Sequence, residues 1–133
     1  MNGKAAYLDA SAILKLIVRE PESQALQRFL AQWPHRSSST LVRTETIRAL
    51  RRSGYDTRVG DARRVMGTMR LVRLDEPLLD RAADLEPRTL RSLDAVHLAS
   101  ALALGSDLGV FIAYDNRLID AARAHGIPVD EPR

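Results

Sequence analysis

Two short apolar runs, KAAYLD closing on Asp9 and VFIAYD closing on Asp115, are each followed at once by a helical pattern, and this arrangement constrains the fold more than any other feature. Runs this short fit strands buried on both faces, with the final aspartate emerging into a loop. MRLVRLD reads as a further strand, HRSSST as a brief one and IPVDE as a short edge strand. Helical periodicity fills the intervals. SAILKLIVRE gives a turn or two, and PESQALQRFLAQW places Ala25, Leu26, Phe29, Leu30 and Trp33 on one face before Pro34 stops it. LVRTETIRALRRS follows, with Thr40 as the expected N-cap and Gly54 as breaker, and then a helix over Asp56 to Met69. EPLLDRAADLE carries Pro77 in its first turn, SLDAVHLASALALG runs from an expected Ser92 cap to Gly105, and DNRLIDAARAHG closes at Gly126. Strands alternating with helices predict an α/β fold with a mostly parallel central sheet. At 133 residues the chain is expected to form one domain over 1–133, with no repeat or linker.

Four acidic residues stand in apolar or small-residue frames: Asp9 in YLDASAIL, Glu45 in TLVRTETIRAL, Asp94 in LRSLDAVHLASAL and Asp115 in VFIAYDNRL. A carboxylate near buried apolar groups needs a donor, a counter-charge or a metal to replace its lost hydration. Asp9 and Asp115 fall at the C-terminal ends of predicted parallel strands, the edge where open α/β sheets build their sites. Glu45 and Asp94 fall on helices, Asp94 in a first turn whose dipole favours an anion. Each acid also has a plain structural role open to it. Asp9 and Asp115 suit turn or cap positions, Asp94 suits the helix dipole, and Glu45 suits a salt bridge to Arg48 or Arg43. Taken together, four carboxylates without cysteine or paired histidine suit a hard cation, Mg²⁺ or Mn²⁺, rather than zinc.

Cysteine is absent, so thiolate catalysis and disulfide staples are excluded, and a cytoplasmic setting is expected. No apolar stretch is long enough for a signal peptide or a membrane span. The net charge of +3 alone implies no partner, but residues 43–73 hold nine arginines against three acids. Arg48 and Arg52 share a helical face with Glu45. Guanidinium groups suit bidentate phosphate contact, and a solvated basic face accounts for the same pattern. His97, a single histidine on an apolar helix, reads as a core or supporting residue rather than a general base. Tyr7, Tyr55 and Tyr114 are too scattered for a base-stacking platform.

YLDASAIL, the Glu45 helix, LDAVHLASAL and YDNRLIDAARAHGI, in that order and over nearly the whole chain, resemble the PIN-domain ribonucleases, specifically the VapC-type toxins of bacterial toxin–antitoxin pairs. The resemblance implies a three-layer PIN-like fold. It also implies an acidic pocket for one or two divalent metals at the positions of Asp9, Glu45, Asp94 and Asp115, with Asp9 and Asp94 as direct ligands. Asp115 would share or bridge through water, Glu45 would position a water or second ion, and Ser11 would donate to Asp9 or cap a helix. The family often carries Thr or Ser where this chain has Ala113. An RNA substrate, a cognate antitoxin and a homodimer follow from the same resemblance. Two other readings stand beside it. One is a non-catalytic relative that binds RNA or a partner through the same pocket. The other is an aspartyl-phosphate chemistry at Asp9, which lacks its second acid because Ser11 stands there.

Overall fold

The computed structural model describes residues 3–133. Five strands, β1 (Ala5–Leu8), β2 (Arg36–Ser39), β3 (Arg70–Val72), β4 (Leu108–Ile112) and β5 (Val129–Asp130), form one sheet in the order β3-β2-β1-β4-β5, with every pairing parallel. Parallel neighbours need crossovers, which seven helices supply. The connection after β1 runs through α1 (Ala10–Ile17) and α2 (Ser23–Leu30), and that after β2 through α3 (Val42–Arg52) and α4 (Val59–Gly67). After β3 the chain passes through α5 (Glu76–Asp84) and α6 (Ser92–Ala103) to β4, and α7 (Asn116–Ala124) then leads to β5.

The strand alternation decides which helices cover which face. Ala6, Leu8, Val110 and Ile112 point into a core shared with α1 to α4, where Ile13, Ile17, Leu26, Leu30, Val42 and Leu50 are buried. Tyr7, Phe111 and Ala113 point the other way, against Leu98, Leu118, Ile119 and Ala122 of α6 and α7. The result is a helix–sheet–helix sandwich, the three layers expected. Each large aliphatic side chain so buried contributes about 1.5–3 kcal/mol. No helix among the described residues is long and apolar enough to cross a membrane.

β2 is polar, yet its three serines are fully buried, and their bonds explain how. Ser37 Oγ donates to the Arg70 carbonyl and Ser38 Oγ to the Leu8 carbonyl, each at 2.6 Å, while Ser39 Oγ accepts from the Leu41 N–H at 3.1 Å. Every buried hydroxyl on the strand is therefore satisfied.

The helix expected over Asp56 to Met69 is split into a 3-10 turn over Asp56–Arg58 and α4, and three further boundaries differ from the sequence reading. Thr40 does not cap α3; Leu41 stands at the N-cap with no side-chain bond, and the nearby Ser39 hydroxyl takes up the Leu41 N–H instead. Ser92 is the first residue of α6 rather than its cap, which is Arg91. Trp33 lies beyond α2, in a turn where its N–H donates to the Leu30 carbonyl at 2.9 Å. Its indole packs over Gly109 so closely that a Cβ there would lie 2.4 Å from the ring, which explains a glycine inside β4.

Candidate active site

The chain travels from β1 outward to β3, then returns to place β4 on the other side of β1. Such a reversal opens a crevice outside the C-terminal ends of the two central strands. Asp9 follows β1 and Asp115 lies just beyond β4, so both aspartates open onto that crevice. Both also serve as helix N-caps. Asp9 Oδ1 accepts from the Ala12 N–H at 2.9 Å and from Ser11 Oγ at 2.8 Å. Asp115 Oδ1 accepts from the Arg117 and Leu118 N–H groups at 2.9 and 3.2 Å. The capping and site roles are compatible, because each cap engages only one carboxylate oxygen and leaves Oδ2 for another partner.

Asp9 is nearly inaccessible, at 6% exposure. Burial pushes its carboxyl above the usual range. His97, in its protonated form, together with the Ala12 N–H and the Ser11 hydroxyl pulls it back, and the neighbouring Asp94 charge raises it further. Glu45, from α3, faces inward rather than toward arginine. Its Oε1 lies 2.7 Å from His97 Nε2, and no arginine pairs with it among the described residues. His97 Nδ1 in turn lies 2.8 Å from the Tyr7 hydroxyl. A carboxylate only accepts, so Nε2 carries the hydrogen; in the neutral imidazole Nδ1 is then the acceptor for the Tyr7 O–H. Burial raises the Tyr7 phenol far above its ordinary range and keeps it protonated. Phe111 stacks on Tyr7 at 5.3 Å between centroids, and His97 meets it edge-on at 5.9 Å. Glu45 is thus tied through two buried rings to the centre of the sheet.

Asp94 lies in the first turn of α6 and meets Asp115 through Arg91. Arg91 Nε donates to Asp94 Oδ2 and Nη2 to Asp115 Oδ2, both at 3.2 Å. One guanidinium therefore holds the two outer carboxylates together. Among the described residues no three acidic or histidine side chains close around a common point at metal-ligand distances. The donor set nonetheless fits a hard cation: it is all carboxylate oxygen, it already converges in part on a positive group, and one member is buried with an oxygen uncommitted. Ala113 is buried and offers no hydroxyl. Tyr114 anchors the exit of β4, with its hydroxyl donating to the Pro132 carbonyl at 2.9 Å and Lys15 Nζ 4.6 Å from the ring centroid. Burial lifts its phenol to about 12.

Arg48 and Arg52 are exposed on α3 and form no ion pair among the described residues. Tyr7 and Arg91 escaped the sequence reading as site residues. Arg91 had left a signal in LRSLD, a cation three residues ahead of Asp94 at a helix start, where a cation is disfavoured.

An all-parallel sheet of this order with carboxylates at its reversal point defines a class, and a family model makes the class specific. The PIN domain model matches residues 6–124, and the chain belongs to the PIN-domain family. Within it the chain is of the VapC type. It is 49% identical over 128 residues to Ribonuclease VapC46 of Mycobacterium tuberculosis (strain ATCC 25618 / H37Rv), covering 96% of this chain and 98% of that one. Ribonuclease VapC47 of Mycobacterium tuberculosis (strain CDC 1551 / Oshkosh) is 36% identical over 130 residues, covering 95% and 96%. The fold is shared with two solved structures. Mycobacterium tuberculosis VapC20, described as a sarcin-ricin loop cleaving toxin, superposes with a TM-score of 0.77 at 19% identity, covering 96% of this chain and 99% of that one. A toxin–antitoxin complex from Klebsiella pneumoniae gives 0.71 at 20% identity, covering 96% and 98%.

Proposed function

We propose that this chain is a Mg²⁺- or Mn²⁺-dependent endoribonuclease, the toxin of a two-component module held inactive by a cognate antitoxin in the cytoplasm. The observation that carries the catalytic half is the meeting of Asp94 and Asp115 on a single positive group beside the buried Asp9. Membership among VapC-type proteins named as ribonucleases supports RNA as substrate, and the fold shared with a toxin–antitoxin complex supports an antitoxin as partner; a second copy of the chain belongs to the proposal on the family resemblance alone.

When bound, the divalent ion supplies a nucleophilic water at neutral pH and relief of charge at the reacting phosphorus. Asp9 and Asp94 would hold it, with Asp115 sharing directly or through water. Ser11 and the Ala12 N–H occupy Asp9 Oδ1, so Oδ2 would be the oxygen offered to the ion. Glu45 would orient a water for attack, its carboxylate fixed by His97 and, behind it, Tyr7. Arg48 and Arg52, one and two turns along α3 from Glu45, would receive backbone phosphates and guide the strand into the crevice.

The test uses the chain purified free of any partner, incubated with labelled RNA. Cleavage should require Mg²⁺ or Mn²⁺, stop on chelation, and fall more than about a hundredfold in Asp9→Asn and in Asp94→Asn, beyond the loss typical of a residue that only supports a ligand. Cleavage that persists in both variants would refute the metal-site assignment. No cleavage of any RNA by the partner-free, metal-loaded chain would refute the nuclease reading.

A further inference from the structure

Arg91 is a cation in an electrostatically unfavourable place. It occupies the N-cap of α6 with an extended main chain (φ −66°, ψ 152°) and no side-chain capping bond. The positive end of the helix dipole faces it. Its guanidinium nevertheless folds back over the helix start and spends two of its donors on carboxylates from two different elements, Asp94 and Asp115. Among the described residues neither aspartate has another ion pair.

We propose that Arg91 is an exchangeable internal counter-ion. It offsets one of the two negative charges of the Asp94–Asp115 pair in the metal-free protein and must leave both oxygens before a divalent cation binds there, so it sets the metal concentration at which the pocket loads. This rests on the acids being a metal site, as argued above.

Both contacts fall on Oδ2, and on Asp115 that is the oxygen left free by helix capping. A Mg²⁺ ion approaches its oxygen ligands to about 2.0–2.1 Å, so ion and guanidinium would compete for the same lone pairs while repelling each other. The arginine can withdraw readily. Its side chain is 62% exposed. Exposed ion pairs of this kind hold weakly, which makes the contact reversible rather than a permanent block. The inner acids differ: among the described residues Asp9 pairs with no arginine or lysine, and Glu45 is held by His97.

The experiment measures Mn²⁺ affinity by titration calorimetry in the full chain and in Arg91→Gln and Arg117→Gln. Arg117 is the charge-only control, exposed near Asp115 and in no ion pair among the described residues. Arg91→Gln should tighten Mn²⁺ binding about two- to tenfold, the range of one or two exposed ion pairs, and Arg117→Gln should tighten it less than about twofold. Adding Mg²⁺ to the unmodified chain should also move the Arg91 Nε–H resonance toward that of solvent-exposed arginines. Unchanged or weaker affinity in Arg91→Gln, an equal gain in Arg117→Gln, or a stationary Arg91 resonance would overturn the exchange. Absence of Mn²⁺ binding in all three proteins is a different failure, because it removes the metal site itself.

Discussion

The inner and outer halves of the acidic crevice neutralise their charge by different means. Asp9 and Glu45 are held from inside the fold, by Ser11, the Ala12 N–H and the His97–Tyr7 pair. Asp94 and Asp115 are bridged from the solvent side by one exposed arginine, which on Asp115 takes the oxygen left free by its helix-capping bonds. A contact rooted in packed rings keeps its geometry whatever the solvent does, whereas a contact on an exposed arginine can be traded for another cation. The inner half is suited to fix where a ligand sits, and the outer half to decide when it enters.

The largest effect that separates the halves should come from His97→Ala. It frees Glu45 and leaves the Tyr7 hydroxyl buried without its partner, so activity or metal affinity should fall about 10–100-fold and stability by about 1–3 kcal/mol. RNA cleavage assays with thermal unfolding check both. An activity within twofold of the parent would show that Glu45 needs no internal support.

A smaller effect concerns the basic face that α3 presents next to Glu45. In a chain made inactive by Asp94→Asn, the double change Arg48→Ala and Arg52→Ala should weaken RNA binding and lower the slope of log affinity against log salt by about 2, one for each phosphate no longer neutralised. An unchanged slope would identify these arginines as a solvated surface and detach them from the site.

The smallest effect is a pH dependence confined to the inner half. Burial raises the Asp9 carboxyl above its unfolded value, so the native state holds that proton more tightly than the unfolded chain does. Asp9's own contribution to the stability of the metal-free protein should therefore be fullest at acidic pH and decline as pH rises from the ordinary carboxylate range through the raised native one. Asp9→Asn should remove that decline and raise the neutral-pH unfolding midpoint by a few degrees in chelator. A variant whose pH profile matches the parent would show that Asp9 carries no such penalty.

The parts of the molecule legible in sequence are those written in local pattern. KAAYLD and VFIAYD each end on an aspartate because a buried parallel strand must surface somewhere, and that put Asp9 and Asp115 on one edge before any topology was known. HRSSST is readable as a strand but not as a buried one. The carbonyls that satisfy Ser37 and Ser38 come from Arg70 and Leu8, remote in sequence. The same limit hid the support of Glu45, whose path through His97 to Tyr7 crosses two elements that periodicity treats as separate. The caps read at Asp9 and Asp115 hold, but two others fail for a related reason. Thr40 and Ser92 have capping chemistry, yet Leu41 and Arg91 hold those positions, and at Arg91 a tertiary contact with Asp115 overrides local preference. Trp33 belongs to the core through Gly109, a contact that its helical spacing within PESQALQRFLAQW could not reveal.

The most direct test of the account is the anomalous difference map of a crystal soaked in Mn²⁺. The account predicts a peak about 2.0–2.6 Å from carboxylate oxygens of Asp9 and Asp94, the range for a hard cation on oxygen, with Arg91 turned away from Asp94 and Asp115. A map with no peak in the crevice, or with a peak there while Arg91 still bridges both aspartates, would contradict it.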